Sequence, residues 1–519
     1  MIGLRKYGIA GACICVIAAF LTVFSIINFI GFAWFCTPDM YSDTYVARLM
    51  WQEKTLFPES WVFGNQFYVC VTPVLAAGFY GLCGSVNLAM ALATTTMTGL
   101  ILLSFWWMVK PFAGREQILL GMAVLLGSIL GKGIETTIEL QILYVMASYY
   151  AGYLVTLFVV FGVYARARYG KKTGWFSLML AVSLSFCTGM QSLRQTAVMI
   201  VPLVGMEGIR ILRLRLREKK LRLDAAAWRV LLCAAANGLG LIAIRVRAPK
   251  ALAMFDAPTV TTVDGIPGSL RMGMGALKSV TGLKYLDADT PVLGVLALVL
   301  TAVVVMGLIL ALLERCKNGI GFLVVLSGLS VLSVIAVCVG INFPYTRSIY
   351  LFPWFTMPAL AAMVLLERWK GWRKWIISAV LIGVLVCNLC VSYLPAAKDA
   401  LEHRDHPDRQ IAQYLMDEGY TRVYGEWYHT FCVAAWTDGS VDAGGWFNGV
   451  CRILHYINPM DIYTEEDNDV GAYLLSEGEE KSFLARAEAL GANVQMVAKF
   501  ESGYRLYTSD VQMMYHPEQ

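Results

Sequence analysis

Charge is what this chain has least of. Only 15% of its 519 residues are charged, against 58% hydrophobic. That excludes a water-soluble globule over most of the length and points to membrane helices, each about 20 mostly apolar residues long. Ordered metal-ligand spacing is missing too. His403, Asp405, His406 and Asp408 form one short His/Asp group without a second ligand pair, and read as a polar linker, not a metal centre. No solenoid period and no low-complexity tract is present. The two halves do not resemble each other, which counts against a transporter built from paired repeats. The basic run Arg210 to Arg222, with Arg229 beyond it, carries no interleaved aromatics for stacking. It reads as a topology signal or a contact with anionic lipid, and not as a nucleic-acid site.

Cysteine is not scarce, at 13 residues, but it does not make a disulfide framework. Cys13, Cys15, Cys187, Cys233, Cys338, Cys387 and Cys390 sit inside apolar runs, where a thiol behaves as a small hydrophobe. Cys432 and Cys451 are the pair whose linkage stays open. The basic start Arg5-Lys6 resembles a secretion signal. The apolar run from Ile9 to Phe35 is nevertheless too long for a signal core of roughly 7–15 residues, and reads as an uncleaved first span.

Eleven spans are predicted, at 8–34, 86–109, 116–131, 141–164, 174–190, 195–212, 228–245, 291–313, 320–341, 349–366 and 374–393. The segment 67–83 is apolar but short, with one Pro and two Gly. Basic residues decide its placement, because Lys and Arg collect in short cytoplasmic loops. If 67–83 dips in without crossing, 22 basic residues up to position 394 fall inside and 11 outside. If it crosses, the balance reverses. The prediction is therefore an α-helical polytopic membrane protein of about eleven spans, N-terminus cytoplasmic and C-terminus extracytoplasmic.

Residues 1–394 then form a transmembrane domain with outer loops 36–85 and 246–290, the latter carrying an amphipathic piece around Leu270–Leu286. Residues 395–519 form a small soluble α/β domain. In it, 408–418 and 477–490 read as helices, the second stopped by Gly491. Residues 422–424 and 471–475 read as strands, and 494–500 with 504–507 as a hairpin about Ser502-Gly503.

Chemistry concentrates just after the first span, in Cys36-Thr-Pro-Asp39-Met-Tyr-Ser-Asp43-Thr-Tyr45-Val-Ala-Arg48, followed by Trp51, Leu56-Phe-Pro58 and Trp61. Tyr41–Lys54 fits an amphipathic helix lying along the membrane surface, with Pro38 placing Asp39 in the turn before it. The plainer alternative is that these carboxylates only cap or solvate a helix start.

This layout resembles the GT-C superfamily of membrane glycosyltransferases. The shared features are an acidic residue after the first span, an aromatic-rich helix with Leu56-Phe-Pro58, and a Pro73-led apolar segment ending in Gly84. In polyprenyl-phosphate-dependent members, such as the protein O-mannosyltransferases and aminoarabinose transferases, the first outer loop carries the catalytic acid. Ser192-Leu-Arg194-Gln195 through Pro202 is similar to the family's mid-chain span start. Pro344-Tyr345-Thr-Arg347-Ser-Ile-Tyr350 through Pro358 is similar to its late span start. The chain departs from the pattern in having Asp43 followed by Thr, where many relatives have an adjacent acidic pair, and Arg347 not directly followed by Tyr.

The resemblance implies transfer of a sugar from a polyprenyl-phosphate donor in the lipid bilayer to a glycan, lipid or protein acceptor. Asp43 is then the first choice for catalytic base, Asp39 the second. Arg194, Arg347 and Tyr345 would bind the donor phosphate, because a guanidinium fork holds two oxygens at once. The alternative for both arginines is snorkelling at span ends. Glu135 and Glu139, one helical turn apart, could position the acceptor or a divalent cation, but a solvated helix face explains the spacing equally. No resident cofactor is required, and relatives differ over a metal. Two rival functions remain at this level: a transporter or flippase of lipid-linked sugars, and a non-catalytic assembly protein.

Overall fold

The computed structural model describes residues 8–64, 66–132, 138–218, 223–247, 261–287, 290–340, 348–402, 406–454, 456–463 and 471–516. Its first part is a helical layer: α1 (Gly8–Ile30), α2 (Pro38–Gln52), a two-residue strand β1 (Trp61–Val62), α3 (Thr72–Cys83), α4 (Val86–Val109), α5 (Arg115–Gly127), α6 (Ala151–Arg168) and α7 (Trp175–Gln191). A short α8 (Leu193–Gln195) passes through a π turn into α9 (Val201–Glu218). Next come α10 (Ala225–Arg247), α11 (Ile266–Val280), α12 (Pro291–Leu313) and α13 (Gly319–Gly340). A 3₁₀ turn, Ser348–Phe355, leads into α14 (Thr356–Arg368), and α15 (Trp372–Asn388) continues through a second π turn into α16 (Leu394–Glu402).

Every one of the eleven predicted spans overlaps a helix, and eight helices among the described residues are long and apolar enough to cross a membrane. The other three fall short for visible reasons. Helix α5 has 13 residues, α7 has 17, and the α8–α9 segment is broken by its π turn and ends in arginines. Helix α3, covering most of the doubtful segment 67–83, has 12 residues. At 1.5 Å per residue it spans about 18 Å, well under a hydrocarbon core of about 30 Å. Pro73 starts it and Gly84, in the left-handed conformation, stops it.

The predicted span 141–164 is corrected at its start, because α6 begins only at Ala151. Residues 142–150 are buried but irregular. Such backbone survives inside a membrane protein only where its polar groups find partners. Here they do. Asn28 of α1 donates to the Tyr144 carbonyl (3.1 Å) and accepts from the Met146 amide (2.8 Å). Thr94 donates to the Met146 carbonyl and Thr72 to that of Ser148. One Asn in an otherwise apolar helix thus pins a loop more than a hundred residues away.

The C-terminal unit holds α17 (Pro407–Asp417), β2 (Arg422–Glu426), α18 (Trp427–Ala435), β3 (Asp442–Trp446), β4 (Asn458–Pro459), β5 (Gly471–Leu475), α19 (Glu477–Leu490), β6 (Val494–Lys499) and β7 (Arg505–Ser509). Five strands form one sheet in the order β3-β2-β5-β7-β6, the first three parallel and the last two antiparallel. Strand β3 contains Gly444 and Gly445 because aromatic rings press on it. A Cβ at Gly444 would meet Tyr424 and Tyr463 at 2.8 Å, and one at Gly445 would meet Trp427 at 2.8 Å.

The sheet unit docks on α2. Arg48 pairs with Asp442 and donates to the Gly439 carbonyl (2.9 Å), the Ala443 amide donates to the Tyr41 hydroxyl (3.3 Å), and β4 pairs antiparallel with β1. Cys432 and Cys451 do not pair. The Cys432 thiol donates to the Cys36 carbonyl (3.1 Å), while Cys451 is buried with Trp446 and Tyr473 in the sheet's other core.

Candidate active site

Helix α2 is built differently from the surface helix that the sequence suggests. It starts at Pro38, not Tyr41, with Thr37 as N-cap accepting from the Met40 amide and Pro38 in the first turn. Pro at that position loses no hydrogen bond, and such a cap is worth about 1 kcal/mol. The helix is also buried on nearly every side, with Met40 to Met50 all inside. The sheet unit covers one flank and α3 the other, so α2 is a core element and not an interfacial float.

Because the helix includes Asp39, the two carboxylates share one face, four residues apart. Their surroundings differ. Asp43 is 4% exposed and Asp39 half-buried. The Tyr68 hydroxyl reaches the Asp43 carboxylate, and the half-buried Tyr149 lies against Thr37 with both carboxylates nearby. Burial pushes the Asp43 carboxyl well above the usual carboxylate range. The Tyr68 hydrogen bond opposes the rise and the Asp39 charge adds to it.

Arg194 stands at the start of the mid-chain span. Ser192 caps the short α8 by accepting from the Arg194 amide (3.2 Å). The guanidinium donates to the Tyr150 hydroxyl (3.2 Å) and lies 4.4 Å above the Tyr350 ring. Among the described residues no carboxylate pairs with it. It lines a cavity of about 530 Å³ walled mostly by apolar groups, including Phe67, Leu241, Val334, Val337 and Phe352, with Arg245 also on the wall.

The chain joins these two places through one loop. The Phe67 amide donates to the Gln191 carbonyl (3.1 Å) and the Cys70 amide to the Gln191 side chain (2.9 Å). That fastens the loop carrying Tyr68 to the residue just before Ser192-Leu-Arg194. From the sheet unit, Tyr456 adds a hydroxyl within electrostatic range of both Tyr68 and Arg194, its ring against Gly64. Carboxylates from α2 and a guanidinium from α8 therefore meet one buried tyrosine cluster, with the apolar cavity on the arginine's side.

Arg347, Tyr345 and Glu135 lie outside the described residues; Glu139 falls in a 3₁₀ turn, Ile138–Gln141, its side chain outside the description. His406 caps α17 and packs between Trp34 and Trp436, while Asp408 pairs with His429 (2.8 Å). Tyr68, Tyr149, Tyr150, Tyr456 and Arg245 were not singled out by the sequence.

No family model and no curated protein matches the sequence. Among solved structures, apo ArnT from Cupriavidus metallidurans superposes with a TM-score of 0.60 at 11% identity, covering 98% of this chain and 99% of ArnT. ArnT from the same organism bound to undecaprenyl phosphate gives a TM-score of 0.56 at 12% identity over the same shares. The chain has the ArnT fold. Both superpositions span the helical layer and the C-terminal sheet together, so the likeness reaches beyond the span-start segments to the whole architecture.

Proposed function

We propose that this protein is an integral membrane glycosyltransferase that takes a sugar from a polyprenyl-phosphate carrier and places it on a hydroxyl acceptor at the outer face. The observation that carries the reading is the meeting of Asp43, Asp39 and Arg194 around one tyrosine cluster beside an apolar cavity. A lipid-borne donor needs that combination: a greasy groove for the isoprenoid, a cation for its phosphate and a base for the acceptor. The undecaprenyl-phosphate complex of ArnT supports a polyprenyl donor by fold analogy.

In the proposed step, Asp43 accepts the proton of the acceptor hydroxyl as its oxygen attacks the anomeric carbon. The bond from that carbon to the phosphate oxygen breaks, and both electrons leave with polyprenyl phosphate. Arg194 holds that phosphate, with Arg347 and Tyr345 of the late span as expected partners and Glu135 and Glu139 as candidates for placing the acceptor. Burial raises the affinity of Asp43 for a proton, which suits a base of this kind. Asp39 is the reserve carboxylate.

Asp43→Asn tests the assignment. The side chain keeps its shape and loses its basicity, so transfer should fall about 10²–10⁴-fold, as for removal of a general base. Melting temperature in detergent should stay level. Wild-type turnover in that variant would remove Asp43 from the mechanism.

A further inference from the structure

The carboxyl ends of the parallel strands β3, β2 and β5 form a second constellation, away from the buried carboxylates. Strand β2 connects through α18 to β3 on one side, while β5 connects through α19 to β6 on the other. Neighbouring strands whose connections diverge leave a crevice at their carboxyl ends, the place where open α/β sheets bind ligands. Glu426 ends β2, Trp446 ends β3, and Ser476 with Glu479 opens α19.

Two large aromatic side chains stand open at this edge. Tyr428 is 55% exposed and Phe447 40%, with ring centroids 5.8 Å apart and edge to face. Trp427 packs beneath Tyr428, and its buried indole nitrogen has no hydrogen-bond partner. The turn that presents Phe447 continues through Asn448 at φ 57° and Gly449 at φ 150°. Asn tolerates the left-handed region better than most residues, so the turn projects Phe447 at little cost. At the same strand ends, Glu479 accepts from the Trp446 indole (2.7 Å), and its charge is felt at Glu426.

We infer that this crevice binds the acceptor as a saccharide, stacking a pyranose ring on Tyr428 and Phe447 while its hydroxyls donate to Glu426. The chemistry selects that ligand class. Solvent-exposed aromatic side chains fit the C–H groups of a sugar, and carboxylates accept from hydroxyls but repel phosphate, which disfavours nucleic acid and anionic lipid. The position suits an acceptor as well. Cys432 lies one helical turn beyond Tyr428, about 6 Å along α18, and its thiol meets the Cys36 carbonyl, three residues before Asp39. The acceptor role rests on the transferase reading; saccharide binding does not.

The test uses the full chain in lipid nanodiscs and saturation-transfer-difference NMR, with chitotetraose, cellotetraose and maltotetraose as probes. Saturation is expected on the ring protons of at least one. It should fall fivefold or more in Tyr428→Ala/Phe447→Ala and persist in Tyr428→Trp, which keeps an aromatic platform. Asp43→Asn should bind like wild type, so loss of the transferase reading and loss of this one are separable. No saturation from any probe overturns the inference, as does undiminished saturation in the double variant. Benzoylphenylalanine in place of Phe447 should photocrosslink to the bound oligosaccharide. Crosslinking to bilayer lipid alone would assign the ledge to the membrane surface and overturn the proposal.

Discussion

Arg48 of α2 and Arg194 of α8 are both drawn in from solvent, yet their surroundings give them opposite roles. The Arg48 guanidinium has its counter-charge built in, with Asp442 on one terminal nitrogen, the Gly439 carbonyl on the other and the Tyr45 ring 4.5 Å away, while its Nε has no partner among the described residues. Among the described residues Arg194 meets neutral groups, the Tyr150 hydroxyl and the Tyr350 ring, and it borders an open cavity. A buried cation with its counter-charge built in is a structural clamp, since the protein itself compensates its desolvation. A cation held by aromatic and hydroxyl groups keeps its charge available for an incoming anion.

The sharpest way to break this contrast is to remove Arg194. Arg194→Ala should lower kcat/KM for a polyprenyl-phosphate-sugar about 10²–10³-fold, the range for losing one preorganised donor to a departing oxyanion. Arg194→Lys, keeping the charge but not the fork, should recover part of it. Melting temperature should barely change, because no protein carboxylate is left unpaired. If Arg194→Ala instead unfolds the protein and leaves residual turnover per folded molecule intact, then Arg194 is a clamp after all.

Arg48→Ala should do the reverse. Asp442 would remain partly buried without its partner, costing about 2–3 kcal/mol, and the contact between α2 and the sheet unit would loosen. The measurements are a lower melting temperature and faster proteolysis around residues 436–446, with turnover per folded molecule reduced far less than by Arg194→Ala. Equal turnover losses in both variants would erase the distinction.

What the sequence makes legible follows the range of the interactions involved. Local signals are read closely: Gly471–Leu475 and Glu477–Leu490 are found where alternation, capping and Gly491 place them, and α4 and α12 run from their predicted first to last residues. Distant partnerships are not read. Strand β3 looks like a glycine loop until Tyr463 and Trp427 are seen lying on it. The start of α6 depends on Asn28, and the burial of α2 on a sheet about four hundred residues downstream. At the site, Asp43 and Arg194 are legible as residue types at span ends, and the resemblance names their roles. The tyrosines that join them come from four separate stretches, each an ordinary aromatic in its own context. An Asn within an apolar span, and Arg245 near the end of α10, were the signals available for what was missed.

The finest test acts on the proton affinity of Asp43 and separates the pocket carboxylates from each other. The acid limb of the pH–activity profile should lie above the ordinary carboxylate range, because the base is active only when deprotonated and burial favours its protonated form. Tyr68→Phe removes a hydrogen bond that favours the carboxylate, so the limb should move to higher pH. Asp39→Asn removes a neighbouring negative charge that disfavours it, so the limb should move to lower pH. Both variants should keep most of their activity at the pH plateau, which sets them apart from Asp43→Asn. Opposite displacements would show that Asp43 carries the titration and that Tyr68 and Asp39 act through it. Displacements of the same sign, or a limb that tracks Asp39 instead, would transfer the base to the half-buried carboxylate one turn earlier on α2.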